Sequence, residues 1–355
     1  MARGPNELLT DLLEAVSRSF YLTLRVLPPV IRPQIGLAYL LARTTDTIAD
    51  TELVPLEQRV GALQKMRERI LGQSSARLDF GDLARHQGSP AERALLESCE
   101  AGLALLQTFS AADQQLIRDV LDIIISGQEL DLRRFGSLAS TLQRAGDKPK
   151  PELEPGVQRI VALKTDAELD DYTYRVAGCV GEFWTKLCRA QVFPKARLDD
   201  SFLLTNGVRF GKGLQLVNVL RDLPADLRKG RCYLPADRLA GIGLAPADLL
   251  RPDNESKLRP LYAEYLDRAE THLAAGWAYT NALPWRCARV RLACAWPILV
   301  GVKTLERLRA GNVLDSQQRI KISRREVRGM VAQSLVLYPW PRAWRKLARG
   351  PAVAG

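Results

Sequence analysis

Apolar residues recur mostly at three- and four-residue spacing, as in Leu8, Leu9, Leu12, Leu13 and Val16, and again in Leu116, Ile117, Val120, Leu121 and Ile124. That period lines one face of an α-helix, whereas a half-buried strand needs alternation at every second residue. No alternating Val/Ile/Thr run is flanked by Asn-Gly or Asp-Gly turns, and aromatic residues make up only 6% of the chain. Strand signals are therefore scarce, and the expected fold class is all-α.

Gly and Pro punctuate the pattern at Pro28-Pro29 and Pro33, and around 72–75, 88–90, 146–156 and 231–252. The richest stretch, Asp147-Lys-Pro-Lys-Pro-Glu-Leu-Glu-Pro-Gly156, reads as a surface loop between helices, because similar helical patterning continues on both sides. We expect one helical domain over residues 1–332 and a basic, aromatic tail over 333–355.

The 355 residues carry 51 Lys and Arg against 40 Asp and Glu, a net charge of +11. Fifteen of those cations and three of the acids fall in 281–355, so that part is +12 and residues 1–280 are −1. An anionic partner surface is thus expected to be C-terminal. There Tyr338, Trp340 and Trp344 interleave with Arg342, Arg345 and Lys346, as in interfacial membrane segments. The longest uncharged apolar run, Leu292 to Val302, has eleven residues; a bilayer span needs about 20. The N-terminus lacks the basic and apolar regions of a secretory signal. Six cysteines form no C-x-x-C pair, and with only His86 and His272 they make no zinc spacing. We expect reduced thiols in a cytoplasmic protein whose membrane contact, if any, is peripheral and on the inner face. A nucleic-acid partner is not expected, since it leaves the acidic motifs below unexplained.

Asp46-Thr-Ile-Ala-Asp50 sets two carboxylates four residues apart on one helix face, after an apolar stretch from Ile35 to Ala42. Like charges at that spacing destabilise a helix unless something neutralises them. A hard divalent cation does so, and Mg²⁺ is commonly held by one or two carboxylates plus substrate phosphate. The pattern returns in Asp222-Leu-Pro-Ala-Asp226, again after apolar helix. Pro224 lies between those two aspartates and would kink the helix, so a shared face is left open there. Arg43 precedes the first pair, and Arg221, Arg228 and Arg231 surround the second, where guanidinium forks can grip phosphate oxygens. No phosphate-cradling Gly-rich loop is present: Gly211-Lys-Gly213 and Gly241-Ile-Gly243 are followed by Leu216 and Pro246 where a dinucleotide fingerprint needs a third glycine. Two carboxylate pairs on two helices point to metal ions binding a diphosphate.

At these residues the chain resembles the squalene/phytoene synthase family, whose members join two prenyl diphosphates head to head in an all-α fold. The likeness runs from about residue 15 to 330. It is carried by Ser17-Arg-Ser-Phe20, Tyr39 with Arg43-Thr-Thr-Asp-Thr-Ile-Ala-Asp50, Tyr172-Thr-Tyr-Arg-Val-Ala-Gly178, Gln215-x-x-Asn218-x-x-Arg-Asp222-x-x-x-Asp226 and Gly230-Arg-Cys-Tyr-Leu-Pro235. The resemblance implies a single helical bundle around a central apolar cavity, with Mg²⁺ at Asp46, Asp50, Asp222 and Asp226. It implies diphosphate contacts at Ser17, Arg18, Ser19, Arg43, Gln215, Asn218, Arg221 and Arg231, and catalytic parts for Tyr172, Tyr39, Arg43 and Phe20. Phe20, Leu24, Ile123, Ile124, Val180, Phe183 and Trp184 are the candidates for an apolar lining that shields carbocations from water.

Family members differ in their last step, which is either proton loss or reduction by NADPH. Cys294-Ala-Trp-Pro297 and Arg319-Ile-Lys-Ile-Ser-Arg324 resemble the late segment of the squalene-forming members, with Ser323 standing where that segment has a basic residue. On this resemblance NADPH is expected at Asn218, Lys321 and Arg324, and farnesyl diphosphate is the expected substrate. Phytoene, dehydrosqualene and presqualene diphosphate formation stay as alternatives, as do a C15 or C20 donor and any oligomeric state.

Overall fold

The computed structural model describes residues 7–17, 21–144, 160–315 and 320–348, with backbone alone for 137–144. Arg18, Ser19, Phe20, Arg319 and the 147–156 loop lie outside the described residues. Apart from one pair of two-residue parallel strands, β1 (Val161–Ala162) and β2 (Arg231–Cys232), with Val161 opposite Arg231, the regular structure among the described residues is helical. The all-α expectation holds. The chain divides into two units, Met1–Glu152 with Lys186–Pro194, and Leu153–Thr185 with Lys195–Gly355.

In the first unit a π-helical turn, Leu8–Leu12, leads into α1 (Leu13–Ser17), followed by α2 (Tyr21–Val26), α3 (Arg32–Asp50), α4 (Leu56–Leu71), α5 (Gly81–Arg85), α6 (Pro90–Glu97), α7 (Cys99–Leu106) and α8 (Ala111–Arg144). Pro33 and Pro90 stand in the first turns of α3 and α6, where a missing N–H removes no helical hydrogen bond. Helix α8 packs on α3 and α4. Ile117, Val120, Leu121 and Ile124 of α8 are buried, as are Ile35, Leu37, Leu41 and Ile48 of α3. Each such side chain contributes about 1.5–3 kcal/mol of transfer free energy, and together they fix the face of α3 that is left for its polar residues.

The second unit holds α9 (Asp166–Thr173), a π-helical turn (Tyr174–Gly178), the start of α10 (Cys179–Gln191), α11 (Asp200–Arg228), α12 (Ala236–Gly241), α13 (Glu255–Ala282), α14 (Ala288–Ala310), α15 (Arg324–Leu337) and α16 (Pro341–Lys346). Helix α11 opens on Asp199, whose carboxylate accepts from the Phe202 amide at 2.9 Å. It passes the start of α10 with backbone against backbone. A Cβ on Gly181 would lie 1.9 Å from the Gly207 carbonyl oxygen, and one on Gly211 would lie 2.1 Å from that of Ala177. Only glycine permits that approach.

The described part of the C-terminal segment, through residue 348, is packed against the preceding helices. Trp344 is fully buried, its Nε1 donates to Asn281 Oδ1 at 3.0 Å, and its ring stacks on Trp277 at 5.3 Å. Helix α15 runs straight through the expected boundary at 332/333, and the Ser334 hydroxyl beyond it accepts from Trp296 Nε1 at 2.9 Å.

Candidate active site

On α3 the run Arg43-Thr-Thr-Asp46 is helical, and the buried Thr44 and Thr45 satisfy their hydroxyls on the carbonyls of Leu40 and Ala42, both at 2.8 Å. Asp46 and Asp50 therefore keep their four-residue spacing on one face. Arg43 reaches two acids at once, donating from Nη1 to Asp46 and from Nη2 to Glu92 on α6. Burial pushes the Asp46 carboxyl up to about 6, the nearby Asp50 charge adds to this, and Arg43 opposes it. A carboxylate pair held in that condition stores repulsion that a cation relieves, so the residues fit Mg²⁺. Among the described residues no three His, Cys, Asp or Glu side chains form a closed metal cage.

Two further expected residues lie in the same unit. Tyr39, one turn before Arg43, donates its phenol to the Val16 carbonyl at 3.4 Å. Ser17, at the end of α1, is 3% exposed, and its hydroxyl has no hydrogen-bond partner among the described residues. A buried hydroxyl left in that state has capacity for a ligand oxygen.

The second carboxylate pair sits in the last turns of α11, which stays helical from Asp200 to Arg228 through Pro224. Asp222 and Asp226 thus share a face, and the question left open by the proline is settled. Leu216, Val217, Val219, Leu220, Leu223 and Leu227 are buried, while Gln215, Asn218, Asp222 and Asp226 form a half-buried polar stripe. Arg221 grips Asp222 with both arms of its fork, at 2.9 and 2.5 Å. Hydrogen bonding to Asp222 is the main cause that raises its pKa. Gly230, at φ 75°, makes the left-handed turn that ends the helix and sends the chain into β2, which begins with Arg231.

Tyr172 joins this stripe from α9, just before the π-helical turn, a device often found beside functional residues. Its phenol oxygen accepts from Gln215 Nε2 at 3.1 Å, and Gln215 Oε1 accepts from Asn218 Nδ2 at 3.3 Å. The ring stacks on Tyr233 at 4.5 Å. The structure therefore brings Tyr172, Gln215 and Asn218 into one hydrogen-bonded line. Glu92 and Tyr233 have no part assigned from sequence: Glu92 stands 49 positions from Arg43 in an ordinary helical pattern, and Tyr233 lies inside a quoted motif without a role.

Of the candidate lining residues, Leu24, Ile124 and Phe183 are buried and Ile123 and Trp184 half-buried, while Val180 is exposed at 37%. Lys321 and Arg324 are exposed, and neither side chain has an ionic partner among the described residues. The amides at the start of α15 are not available to a phosphate. Ser323 and Glu326 form a capping box there, and the Glu326 carboxylate also pairs with Arg307. The two free cations fit a cofactor phosphate through their side chains alone.

The squalene/phytoene synthase model matches residues 13–326. The chain is 30% identical over 275 residues to the presqualene diphosphate synthase of Rhodopseudomonas palustris, covering 78% of each protein. It is 23% identical over 300 residues to the squalene synthase of Schizosaccharomyces pombe, covering 83% of this chain and 58% of that one. Its fold matches a solved TcSQS structure in complex with the ligand E5700, at a TM-score of 0.72 and 21% identity over 99% of this chain and 93% of that one. With two arginine-flanked carboxylate pairs borne on helices, and a family match over nearly its whole length, the chain belongs to the squalene/phytoene synthases, prenyltransferase-type enzymes that join isoprenoid diphosphates such as farnesyl diphosphate head to head.

Proposed function

We propose that this protein condenses two farnesyl diphosphates through the cyclopropyl intermediate presqualene diphosphate and reduces that intermediate to squalene with NADPH. The observation that carries the condensation is the polar stripe of α11, with Tyr172 tied to Gln215 and the Asp222–Asp226 pair about two to three turns beyond. Asp46 and Asp50 on one helix, and Asp222 and Asp226 on another, would each hold Mg²⁺ against a diphosphate. When bound, Mg²⁺ supplies charge neutralisation for diphosphate departure. Arg43 and Arg221, paired with the carboxylates they flank, would be the groups that grip phosphate oxygens beside each aspartate pair. Ser17, in the unit that carries Asp46 and Asp50, would offer its hydroxyl to the diphosphate held there.

Loss of the first diphosphate leaves an allylic cation that alkylates the second donor's double bond. Tyr172, its oxygen aligned by Gln215 and its ring backed by Tyr233, would stabilise that cation, and the departed diphosphate would take the proton released when the cyclopropane closes. Lys321, Arg324 and Asn218 would hold NADPH, which when bound supplies hydride for the second step. No described helix is long and apolar enough to cross a membrane, and a cytoplasmic enzyme in peripheral contact with a bilayer suits substrates of this kind.

A second reading stops at presqualene diphosphate. It is favoured by the 30% identity to a presqualene diphosphate synthase and by Glu326, whose carboxylate caps the start of α15 beside Arg324 and Arg325. Purified protein given farnesyl diphosphate and Mg²⁺, with or without NADPH, separates the two. Squalene formed only with NADPH supports the first reading; presqualene diphosphate as the sole product in both arms supports the second.

A further inference from the structure

The C-terminal part of the second unit gathers features that the chemistry above leaves unused. Both exposed tryptophans among the described residues are there, Trp285 at 37% and Trp340 at 58%, together with Leu335 at 49% and Val336 at 63%. On α15, Arg325, Arg328, Ala332, Leu335 and Val336 are exposed at spacings that put them on one side of the helix. Helix α16 adds exposed Arg342, Arg345 and Lys346. The only acid in α15 and α16 is Glu326, and Arg307 neutralises it.

This array is held in place from beneath. Arg291 is 2% exposed and donates to the carbonyls of Asn281 and Leu283, at 3.2 and 2.7 Å, and to Asn281 Oδ1 at 3.0 Å. Its guanidinium lies 4.6 Å from the Trp285 ring centre, 5.6 Å from that of Trp344 and 5.9 Å from that of Tyr338. Trp285 and Tyr338 stack at 4.4 Å, and Trp277 Nε1 donates to the Arg345 carbonyl at 3.2 Å. Three aromatic rings around one buried cation thus pin α16 and the end of α15 to the ends of α13 and α14. The exposed residues above them are presented with little ordering left to lose on binding.

We infer that this face docks on the anionic headgroup surface of a lipid bilayer. Trp340, Val336, Leu335 and the open edge of Trp285 enter the headgroup layer, while Arg325, Arg328, Arg342, Arg345 and Lys346 meet lipid phosphates. A second copy of the chain is the wrong partner, because a two-fold interface would set these cations against themselves with no acid to offset them. The biological reason for such a face rests on the prenyl chemistry proposed above, but its binding does not depend on that chemistry.

The test is co-flotation of the full-length protein with vesicles of phosphatidylcholine, alone or mixed with phosphatidylglycerol, at low and high salt. We expect binding to the mixed vesicles only, weakened by salt, and weakened roughly a hundredfold in the triple variant Arg325→Gln, Arg328→Gln, Arg342→Gln. Trp340→Ser with Val336→Ser should also release the protein from mixed vesicles. Both variants should keep the wild-type melting temperature and the wild-type rate on detergent-dispersed farnesyl diphosphate. Failure to bind mixed vesicles at low salt, or equal binding to both vesicle types, would overturn the inference. So would a wild-type dimer in sedimentation that Trp340→Ser with Val336→Ser dissociates. An inactive wild-type protein that still floats would count against the enzymatic reading and leave the docking face standing.

Discussion

Tyr262 on α13 donates its phenol to the carbonyl oxygen of Leu220, 2.9 Å away, and Leu220 is the residue four before Pro224 on α11. Proline has no N–H to close that turn. A fully buried side chain of the neighbouring helix supplies the missing donor, and α11 carries Asp222 and Asp226 past the proline on one face. Tyr262→Phe should therefore cost about 1–3 kcal/mol, the penalty of a buried unpaired carbonyl. Adding Pro224→Ala restores an amide to the turn, so the double variant should recover most of the loss in urea unfolding. Losses that simply add would show that the phenol serves some other partner.

Asp46→Asn and Asp222→Asn should each lower turnover by about a hundredfold or more. Melting temperature should stay close to that of the wild type, because removing one of two like charges does not weaken a helix. Near wild-type rates at saturating Mg²⁺ would end the metal assignment.

The raised pKa of Asp46, from 3.8 to about 6, carries a pH signature. As pH rises through that window the unfolded chain releases the proton first, so ionising Asp46 in the folded protein removes stability on the way up. Metal competes with the same proton. The rise in melting temperature produced by Mg²⁺ should be full above pH 6 and should fade below it, with apparent affinity falling toward tenfold per pH unit. Asp46→Asn should abolish that proton-linked change, and a pH-independent Mg²⁺ effect in the wild type would contradict the account.

Tyr172→Phe keeps the stack on Tyr233 but loses the hydroxyl that Gln215 holds. We expect the first condensation to slow by about 10²-fold or more with the fold intact, and Gln215→Leu to slow it less. A Phe variant at full rate would reduce Tyr172 to a packing residue.

Trp344→Ala should lower stability by about 3–5 kcal/mol, as for other fully buried aromatics. Truncation after Ala332 removes Ser334, Tyr338 and Trp344 together and should cost more than the point variant. Equal unfolding midpoints for the wild type and both variants would mean that the cage around Arg291 contributes nothing.

The helical face of α8 and the Asp46–Asp50 pair could be read from spacing alone, because both depend on neighbours a few positions apart along one helix. Contacts that close over long separations could not. Arg43 with Glu92, Tyr262 with Leu220 and Asn281 with Trp344 join positions whose local patterns are unremarkable. The tail shows the limit most directly. Its aromatic and cationic composition suggests an interfacial segment, yet composition does not reveal that Trp344 turns inward to Asn281 while Trp340 turns outward. Pro224 misleads for a related reason: a kink is expected when the freed carbonyl has no donor, and the donor came from another helix.

The glycine contacts between α11 and the start of α10 bear on how such an enzyme can diverge. Gly181 meets Gly207, and Gly211 meets Ala177, without an intervening side chain. The main chain itself is the spacer that sets the helix carrying Gln215 beside the segment that follows Tyr172. Apolar side chains elsewhere on these helices can then be exchanged for larger or smaller ones while the alignment of Tyr172 with Gln215 is inherited unchanged. Substitutions at these glycines should be purged in any lineage that retains the activity, and variation should collect one helical turn away.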